Sequence, residues 1–244
     1  MAKRPFIRKL KRKRHGVTFW DNEYTEGGNL KLSEEESEDL AKFTRWLGRQ
    51  KDQQSIAEIK HALDVGCGNG RNLIYLAQTF KLTGVGYDTS SAAITQAKKL
   101  SKDLPLKYET RSIAGDLKQP DSSFSLVLDM MASHFLNANE RLFLRDEIYR
   151  VLKPGGWLFM KTFLSDGDLH TKRLIAERPG TEPGTYIHPV IGVPEHAYSE
   201  KELLEFLGER FIIHKVYRSH KHISRGKARK RRTVSVYAQK DPFK

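Results

Sequence analysis

Two periodic patterns of apolar and polar residues alternate along this chain. Short apolar runs typical of buried strands lie at residues 62–65, 82–87, 106–111, 124–129, 157–163, 211–217 and 233–238. After the first run, apolar residues recur at the spacing of a helix, at Leu73, Ile74, Leu76, Ala77 and Phe80. Strands that alternate with helices predict an α/β fold built on a parallel sheet.

Two capping patterns predict where two of the helices begin. Ser33 and Glu36 have the spacing of a capping box, and the apolar stripe after them is Leu40, Phe43, Trp46 and Leu47. Ser199 and Glu202 repeat this spacing before a second stripe, at Leu203, Leu204, Phe206 and Leu207. We therefore expect one helix to start at each serine and to pack its apolar face onto the sheet.

A glycine-rich turn, residues 64–70 with the sequence D-V-G-C-G-N-G, follows the first predicted strand and leads into a helix. Glycines allow a sharp turn and let a ligand approach without meeting a Cβ atom. Dinucleotide sites prefer G-x-G-x-x-G, since a pyrophosphate sits on the helix N-terminus. Here an acid precedes the first glycine, which suits a cationic ligand instead. S-adenosylmethionine, a sulfonium with an amino acid tail, fits this requirement, with predicted contacts at Asp64, Gly66, Cys67, Gly68 and Asn72.

Two more acids follow later strands at positions suited to an adenosine group. Asp88 ends the second predicted strand, where a carboxylate can accept hydrogen bonds from both ribose hydroxyls. Asp116 follows the third strand and could accept one from the adenine amino group. Further cofactor contacts are predicted for residues close to these acids and to the fourth strand, namely Thr89, Leu117 and Met130.

With these motifs in this order, roughly residues 20–240 resemble the class I S-adenosylmethionine-dependent methyltransferases. The resemblance implies a seven-stranded, mostly parallel Rossmann-like sheet with helices on both faces and an antiparallel last strand. It also implies that the segment from Trp20 to Tyr24 folds over the cofactor, so Tyr24 is a predicted cofactor contact. One alternative is that these two aromatic residues only pack a helix onto the sheet. For the whole chain, the alternative is another doubly wound enzyme, such as an NAD-dependent one.

Methyl transfer from a sulfonium is an in-line displacement, so holding the acceptor atom in line supplies much of the acceleration. In the family, the residues after the fourth strand border the methyl group, and His134 is the candidate base there. Asp129 and Lys161 end adjacent predicted strands, as an Asp and a Lys do in related ribose 2′-O-methyltransferases. The acid expected at the start of the last strand is replaced by Arg232 and Thr233. The alternatives for these candidate catalytic residues are an ion pair, a cofactor contact and a place in the pocket wall.

Cys67 is the single cysteine, which excludes an intramolecular disulfide, a cysteine-bound cluster and a separate nucleophile for C5 methylation of pyrimidines. An Asn-Pro-Pro-Tyr motif, which grips an exocyclic or amide nitrogen, is absent from the sequence. Its absence weighs against adenine N6 and glutamine as acceptors. His188, Glu195 and His196 match no tight metal pattern, so we expect no metal. No apolar run is long enough to span a bilayer, and we expect a cytoplasmic enzyme.

The net charge of +13 is concentrated in two short segments that contain no acids. Residues 1–15 hold eight Lys and Arg residues, and residues 219–232 hold seven. The second segment joins the sixth strand to the seventh, at the edge of the sheet where ligands bind in such folds. We expect RNA or a ribonucleoprotein to bind these two segments. A solvated surface without a partner is the alternative.

We expect a flexible basic arm over residues 1–15 and a single methyltransferase domain over residues 16–240. Within this domain, residues 164–198 carry four of the nine prolines and are predicted to form a lid-like insertion, with a helix near residues 169–176. Residues 219–232 are predicted to form a basic hairpin loop. Four lid residues are candidate substrate contacts, with a packed loop as the alternative: Tyr186, His188, His196 and Tyr198.

The favoured hypothesis is a methyltransferase that uses S-adenosylmethionine and acts on RNA or a ribonucleoprotein. A second hypothesis keeps the enzyme and makes the acceptor a small molecule or a protein side chain, which the lid-like insertion favours. A third is a nucleic-acid-binding assembly factor with marginal turnover, against which the intact acid–glycine motif argues. The acceptor atom, the need for a base and the oligomeric state are open at this point.

Overall fold

The computed structural model describes residues 15–27, 32–50, 58–219, 223–224, 227–228 and 230–243. The helices are α1 His15–Thr25, α2 Glu38–Leu47, α3 Arg71–Phe80, α4 Ser91–Leu100, α5 Ala138–Val151, α6 Leu169–Glu177 and α7 Glu200–Gly208. The strands are β1 His61–Val65, β2 Thr83–Asp88, β3 Leu106–Thr110, β4 Phe124–Met130, β5 Leu152–Phe163, β6 Thr185–Ile187, β7 Pro194–His196, β8 Phe211–Arg218, β9 Ile223–Ser224, β10 Lys227–Ala228 and β11 Thr233–Lys240.

Seven strands form the central sheet, in the order β3-β2-β1-β4-β5-β11-β8. Neighbours pair in parallel from β3 to β5, and β11 runs antiparallel to both β5 and β8. Strand β8 therefore points the same way as the five other parallel strands. This arrangement confirms the predicted α/β sheet with an antiparallel last strand.

Side chains of successive residues on β4 enter two different parts of the core, because they point to opposite faces of the sheet. Leu126 and Leu128 pack with residues of α2 and α3, such as Phe43 and Leu73. Val127 packs with residues of α5 and α7 on the other face, among them Leu144, Ile148, Leu203 and Leu207. Helices thus cover both faces, as predicted.

The helix that was predicted to start at Ser33 is α2, and the predicted start is wrong. Helix α2 begins at Glu38 after Ser37, whose backbone N–H donates to Asn72 Oδ1 at 3.1 Å. The hydroxyl of Ser33 instead accepts from the backbone N–H of Glu35 at 3.0 Å and closes a local turn. A serine side chain can satisfy either kind of N–H, so the spacing alone did not decide between them. At α7, both bonds of the capping box predicted for Ser199 and Glu202 are present.

Residues 164–198 contain α6 and the antiparallel hairpin β6–β7. The predicted helix near residues 169–176 is confirmed by α6. Between β8 and β11, the short strands β9 and β10 pair antiparallel. Residues 1–14 of the predicted basic arm lie outside the described residues, and His15 is the first residue of α1. In the described ranges, every helix is too short or too polar to cross a bilayer.

Candidate active site

A cavity of about 860 Å³ opens at the carboxyl ends of β1, β2, β4 and β5. In open α/β sheets ligands bind at this edge, where the strand order reverses on either side of β1. The cavity extends from the glycine-rich turn to the lid, and α1 contributes to its wall. Side chains from these three parts include Trp20, Tyr24, Asn69, Thr181, Glu182 and Val193, and Asn72 of α3 also lines the cavity.

The glycine-rich turn brings backbone close to the cavity in a way that side chains would prevent. Gly66 and Gly68 have φ angles of 86° and 55°, the left-handed region that favours glycine. A Cβ atom on Gly66 would lie 2.3 Å from the Cβ of Ala132, and one on Gly68 would lie 2.3 Å from Tyr24 Oη. The turn is therefore a tight cradle, and both of these predicted cofactor residues line the cavity together with Cys67.

Asp64 is the first residue of the glycine-rich turn, is only 1% exposed and is not among the residues that line the cavity. Neither of its carboxylate oxygens has a hydrogen-bond partner among the described residues. Burial, reinforced by the nearby carboxylates of Asp88 and Asp129, raises the pKa of Asp64 to about 8. A buried acceptor without a partner is costly, and a cationic group would satisfy it. These residues fit S-adenosylmethionine, whose amino group is positively charged.

Asp88 and Thr89 line the cavity at the end of β2. One oxygen of Asp88 accepts from the backbone N–H of Gly68 and the other from that of Ser90, each at 2.9 Å. Burial raises the pKa of Asp88. The carboxylate thus braces the glycine-rich turn from inside the cavity, at the position predicted for a ribose contact.

Three other predicted cofactor residues also line the cavity. The side-chain amide of Asn72 donates to the sulfur of Met130 at 3.3 Å. This bond holds α3 against the end of β4. Tyr24 places its hydroxyl over Gly68, which brings this part of α1 against the glycine-rich turn.

The structure does not bring Asp116 and Leu117 into the cavity wall. Asp116 is exposed and pairs with Lys118 Nζ at 2.7 Å. Leu117 is fully buried elsewhere, where its backbone N–H donates to Glu147 at 3.0 Å. The residues that line the cavity after β3 are instead Arg111, Ser112 and Ile113. They directly follow the strand end, a position that identifies them without any motif.

Asp129 and Lys161 point to opposite faces of the sheet and form no pair. The parallel register sets Met130 beside Lys161 and Asp129 beside Met160, and neighbours along a strand face opposite ways. Lys161 lines the cavity, and its Nζ lies 2.5 Å from Asp39 on α2. Asp129 is buried, where it accepts from the backbone N–H of Ser133 at 3.1 Å. Burial raises the pKa of Asp129 to about 6.

His134 is buried behind the cavity wall and is 2% exposed. Its ring centre lies 4.2 Å from that of Phe135 and 5.3 Å from that of Phe163. Burial, followed by the charge of Arg231, lowers the pKa of His134 to about 3. The wall residue at this point is Phe135. The ring of His134 is therefore neutral at physiological pH and does not reach the cavity.

The lid covers one end of the cavity and is held on both sides. Glu182, a wall residue, accepts from the backbone N–H of Ala138 at 2.9 and 3.1 Å and pairs with Arg141 at 3.2 Å. On the other side, the guanidinium of Arg231 bonds to Asp168 and Glu195 at 3.3 and 3.0 Å. The four predicted substrate contacts of the lid are not among the wall residues.

Those four side chains instead hold the lid together or pack beneath it. The buried hydroxyl of Tyr186 bonds to Glu195 and Arg231. His196 is buried between Thr185 and Glu202, at 3.1 and 2.8 Å. Two backbone N–H groups donate to His188, and the ring of Tyr198 is buried against that of His196. No group of three potential metal ligands occurs in the described part of the chain.

The fold and the glycine cradle define a Rossmann-like cofactor-binding domain, and comparisons specify its class. Residues 63–160 match the family model described as a methyltransferase domain. A fatty-acid O-methyltransferase from Mycolicibacterium smegmatis is 34% identical over 142 residues, 58% of this chain and 51% of that protein. The chain thus spans about half the length of this curated relative.

Solved structures agree with this class. A methyltransferase from Methanosarcina mazei, described as dependent on S-adenosylmethionine, is 25% identical with a TM-score of 0.65, covering 75% of this chain and 93% of that one. The fold also matches the 1,6-didemethyltoxoflavin-N1-methyltransferase of Burkholderia thailandensis, solved with S-adenosylhomocysteine, at 17% identity and a TM-score of 0.70. That match covers 98% of this chain and 93% of the other. Residues 63–160 thus match a methyltransferase domain, and the chain is similar in sequence and fold to class I S-adenosylmethionine-dependent methyltransferases, whose cofactor is S-adenosylmethionine.

Proposed function

We propose that this protein transfers a methyl group from S-adenosylmethionine to a small-molecule acceptor. The observation that carries this proposal is the continuity of one cavity between the glycine-rich turn and the lid. One continuous space runs from the glycine-rich turn to lid residues Thr181, Glu182 and Val193, with α1 as part of its wall. Its volume of about 860 Å³ lies in the upper range of small-molecule sites. The fatty-acid methyltransferase relative acts on an acceptor of this class.

The chain's own residues bind and orient the two reactants in this scheme. When bound, S-adenosylmethionine supplies a methyl group on a positively charged sulfur. Asp64 and the glycine-rich turn hold the amino acid end of the cofactor, while Asp88 faces the ribose. Met130 lies between these groups and Lys161, so the acceptor is held beyond it, under the lid. Holding both reactants in line supplies much of the acceleration.

Transfer of radiolabelled methyl groups into a fractionated cell extract tests the proposal. We expect the label in the small-molecule fraction. A Gly68→Ala variant should lose it, because the new Cβ would meet Tyr24 Oη. Gly208→Ala is the matched control, since a Cβ there meets nothing within 4 Å. Label that appears only in RNA or protein would contradict a small-molecule acceptor, whereas cofactor binding without any transfer would favour the assembly-factor hypothesis.

An RNA or ribonucleoprotein acceptor is the second candidate, and the position of the basic segment 219–232 favours it. Because β8 is parallel to β5, this segment leaves the sheet at the same edge as the cavity. Among the described residues of this segment, Arg231 pairs with Asp168 and Glu195, and Arg232 donates to the backbone oxygen of Asp166 at 2.7 Å. Other cations of the two basic segments would then contact phosphates. A cytoplasmic setting, favoured by the single cysteine, stays a prediction.

A further inference from the structure

The cavity wall offers no side chain suited to remove a proton from an acceptor, as far as the described residues extend. No histidine lines the cavity, and the buried His134 and Asp129 lie outside its wall. Burial raises the pKa of Tyr24 and of Cys67, so both side chains are protonated at neutral pH. Asp88 is already bonded to two backbone N–H groups of the glycine-rich turn and its surroundings.

The cavity wall includes the charged side chains of Lys161, next to α2, and of Glu182, next to α5. Glu182 is engaged by the N-terminus of α5 and by Arg141, which is itself buried. Lys161 keeps 21% of its side chain exposed, and its partner Asp39 keeps 30%. The register places Lys161 beside Met130, another wall residue. An acceptor next to Met130 therefore meets the cationic side chain of Lys161, which pairs with Asp39 and keeps part of its surface exposed.

We propose that the acceptor is a carboxylic acid, that Lys161 binds its carboxylate, and that the product is a methyl ester. This inference rests on the proposed small-molecule function. A carboxylate oxygen donates an electron pair to the methyl carbon, and the pair of the breaking S–C bond stays on sulfur. The sulfonium and the carboxylate thus become a neutral thioether and a neutral ester, and no proton is gained or lost.

The chemistry of the wall selects a carboxylate over other acceptors. A hydroxyl or a protonated amine must lose a proton, whereas a carboxylic acid, with a pKa of about 4, is already ionised at neutral pH. A neutral ring nitrogen needs no base either, but its methylation would leave a new cation beside Lys161. Transfer to a carboxylate instead cancels two charges, which a wall with apolar members such as Trp20, Phe135 and Val193 favours.

Alkali sensitivity of the product tests this assignment. The protein, radiolabelled S-adenosylmethionine and a protein-free small-molecule extract are incubated together, and the products are then treated with alkali. Methyl esters hydrolyse and release volatile labelled methanol, while methyl ethers, amines and thioethers keep their label. Release of most of the label is the expected result. Label that resists alkali would overturn the carboxylate acceptor and leave the proposed function intact, whereas no labelled small molecule at all would overturn both.

Substitution of Lys161 tests its role in binding. We expect Lys161→Gln to raise the KM for the acid at least tenfold, with the dissociation constant of S-adenosylmethionine unchanged by calorimetry, because a charged hydrogen bond is lost. Lys161→Arg should recover part of this loss. Lys42→Gln is the matched control. Lys42 lies on α2 and also pairs with Asp39, as well as with Glu38, but it is not a residue of the cavity wall. An unchanged KM in Lys161→Gln would exclude Lys161 as the carboxylate-binding residue.

Discussion

Asp64 combines two properties that rarely coincide in a stable protein, full burial and the lack of a hydrogen-bond partner among the described residues. Its pKa of about 8 in the folded chain exceeds the ordinary value of 3.8. Between about pH 4 and pH 8 the folded chain therefore holds a proton that the unfolded chain has released. Linkage then requires the stability of the ligand-free protein to fall as the pH rises through this window.

Asp64→Asn should remove this penalty. We expect the variant to gain at least about 1 kcal/mol in unfolding free energy relative to the native protein at pH 8, and less at pH 5. Binding of S-adenosylmethionine should weaken, because the buried negative charge is lost. Urea unfolding at both pH values and calorimetry measure these effects. Asp116→Asn is the control, since Lys118 lowers the pKa of this exposed acid, and an equal gain for Asp64→Asn at both pH values would contradict the ionisation argument.

Double-mutant cycles can distinguish Asp39, the observed partner of Lys161, from Asp129, the partner predicted from the sequence. Asp39→Asn and Lys161→Gln should be non-additive by about 1 kcal/mol, since their side chains are in contact. Asp129→Asn and Lys161→Gln should add to within about 0.5 kcal/mol, because the side chains lie on opposite faces of the sheet. Urea unfolding of the single and double variants gives both values. The reverse result would place Asp129 beside Lys161.

Individual site residues could be predicted from the sequence where their place depends only on the strand that they end or follow. The glycine-rich turn and Asp88 needed only their order after β1 and β2, and both lie at the cavity. Whether Asp129 and Lys161 meet depends on a shift of one residue in register, which two strand ends in a sequence do not specify. The position of Asp116 depended on a loop path that no periodicity describes.

At the scale of elements, the lid is fastened to the sheet by Arg231. The guanidinium lies 3.8 Å from the ring centre of Phe163 and bonds to Asp168, Glu195 and Thr171, which join α6 and the β6–β7 hairpin to the start of β11. Removal of one partner from a buried ion pair leaves the other charges uncompensated. The lid should therefore depend on this single side chain.

Arg231→Gln tests that dependence. We expect faster limited proteolysis within residues 164–198 and a loss of about 3 kcal/mol in unfolding free energy. The KM for the acceptor should rise more than the dissociation constant of the cofactor, because the lid covers one end of the cavity. Arg173→Gln removes the same charge from an exposed position on α6 and serves as the control. Equal proteolysis of the two variants would show that charge, rather than the lid contacts, is responsible.

Substitution of the two serines predicted as helix caps should lower the unfolding free energy by different amounts. Ser199→Ala removes the acceptor for the backbone N–H of Glu202 and should cost about 1 kcal/mol. Ser33→Ala loses only a local turn before α2 and should cost less than about 0.5 kcal/mol. Urea unfolding of both variants measures the difference. A larger cost at Ser33 would restore it as the helix cap.

The positions of the sheet strands along the chain could be predicted from the apolar pattern. A strand or helix that buries one face must carry apolar residues at the spacing of that element. The start of α2 could not be predicted in this way, because the contact that selects it joins Ser37 to Asn72, 35 residues away. Helix α1 was likewise unpredicted. It is tied to α4 by Asp21, which accepts from Ser90 Oγ at 2.7 Å and from the backbone N–H of Ala92 at 3.1 Å. Tertiary contacts of this kind override local signals.

At the scale of the whole molecule, the excess positive charge is concentrated in two short segments, residues 1–15 and 219–232. If about five of these charges contact phosphates, the logarithm of RNA affinity should fall with the logarithm of salt concentration at a slope of about −3.5 to −4.5. Deletion of residues 1–14, which keeps α1 whole, should flatten that slope. Titration with single-stranded RNA at several salt concentrations measures it, and an unchanged slope would exclude this arm from binding.

Reversal of β11 within the sheet has a practical consequence for handling the protein. The side chains of Gln239 and Lys240 donate to the backbone oxygens of Gly155 and Leu152, respectively. These oxygens lie toward the amino end of β5, whereas the cavity lies at the carboxyl end. His15, in contrast, begins the helix that forms part of the cavity wall. A purification tag, a fluorophore or a sensor-chip linker should therefore be attached after Lys240, where it leaves cofactor entry unobstructed.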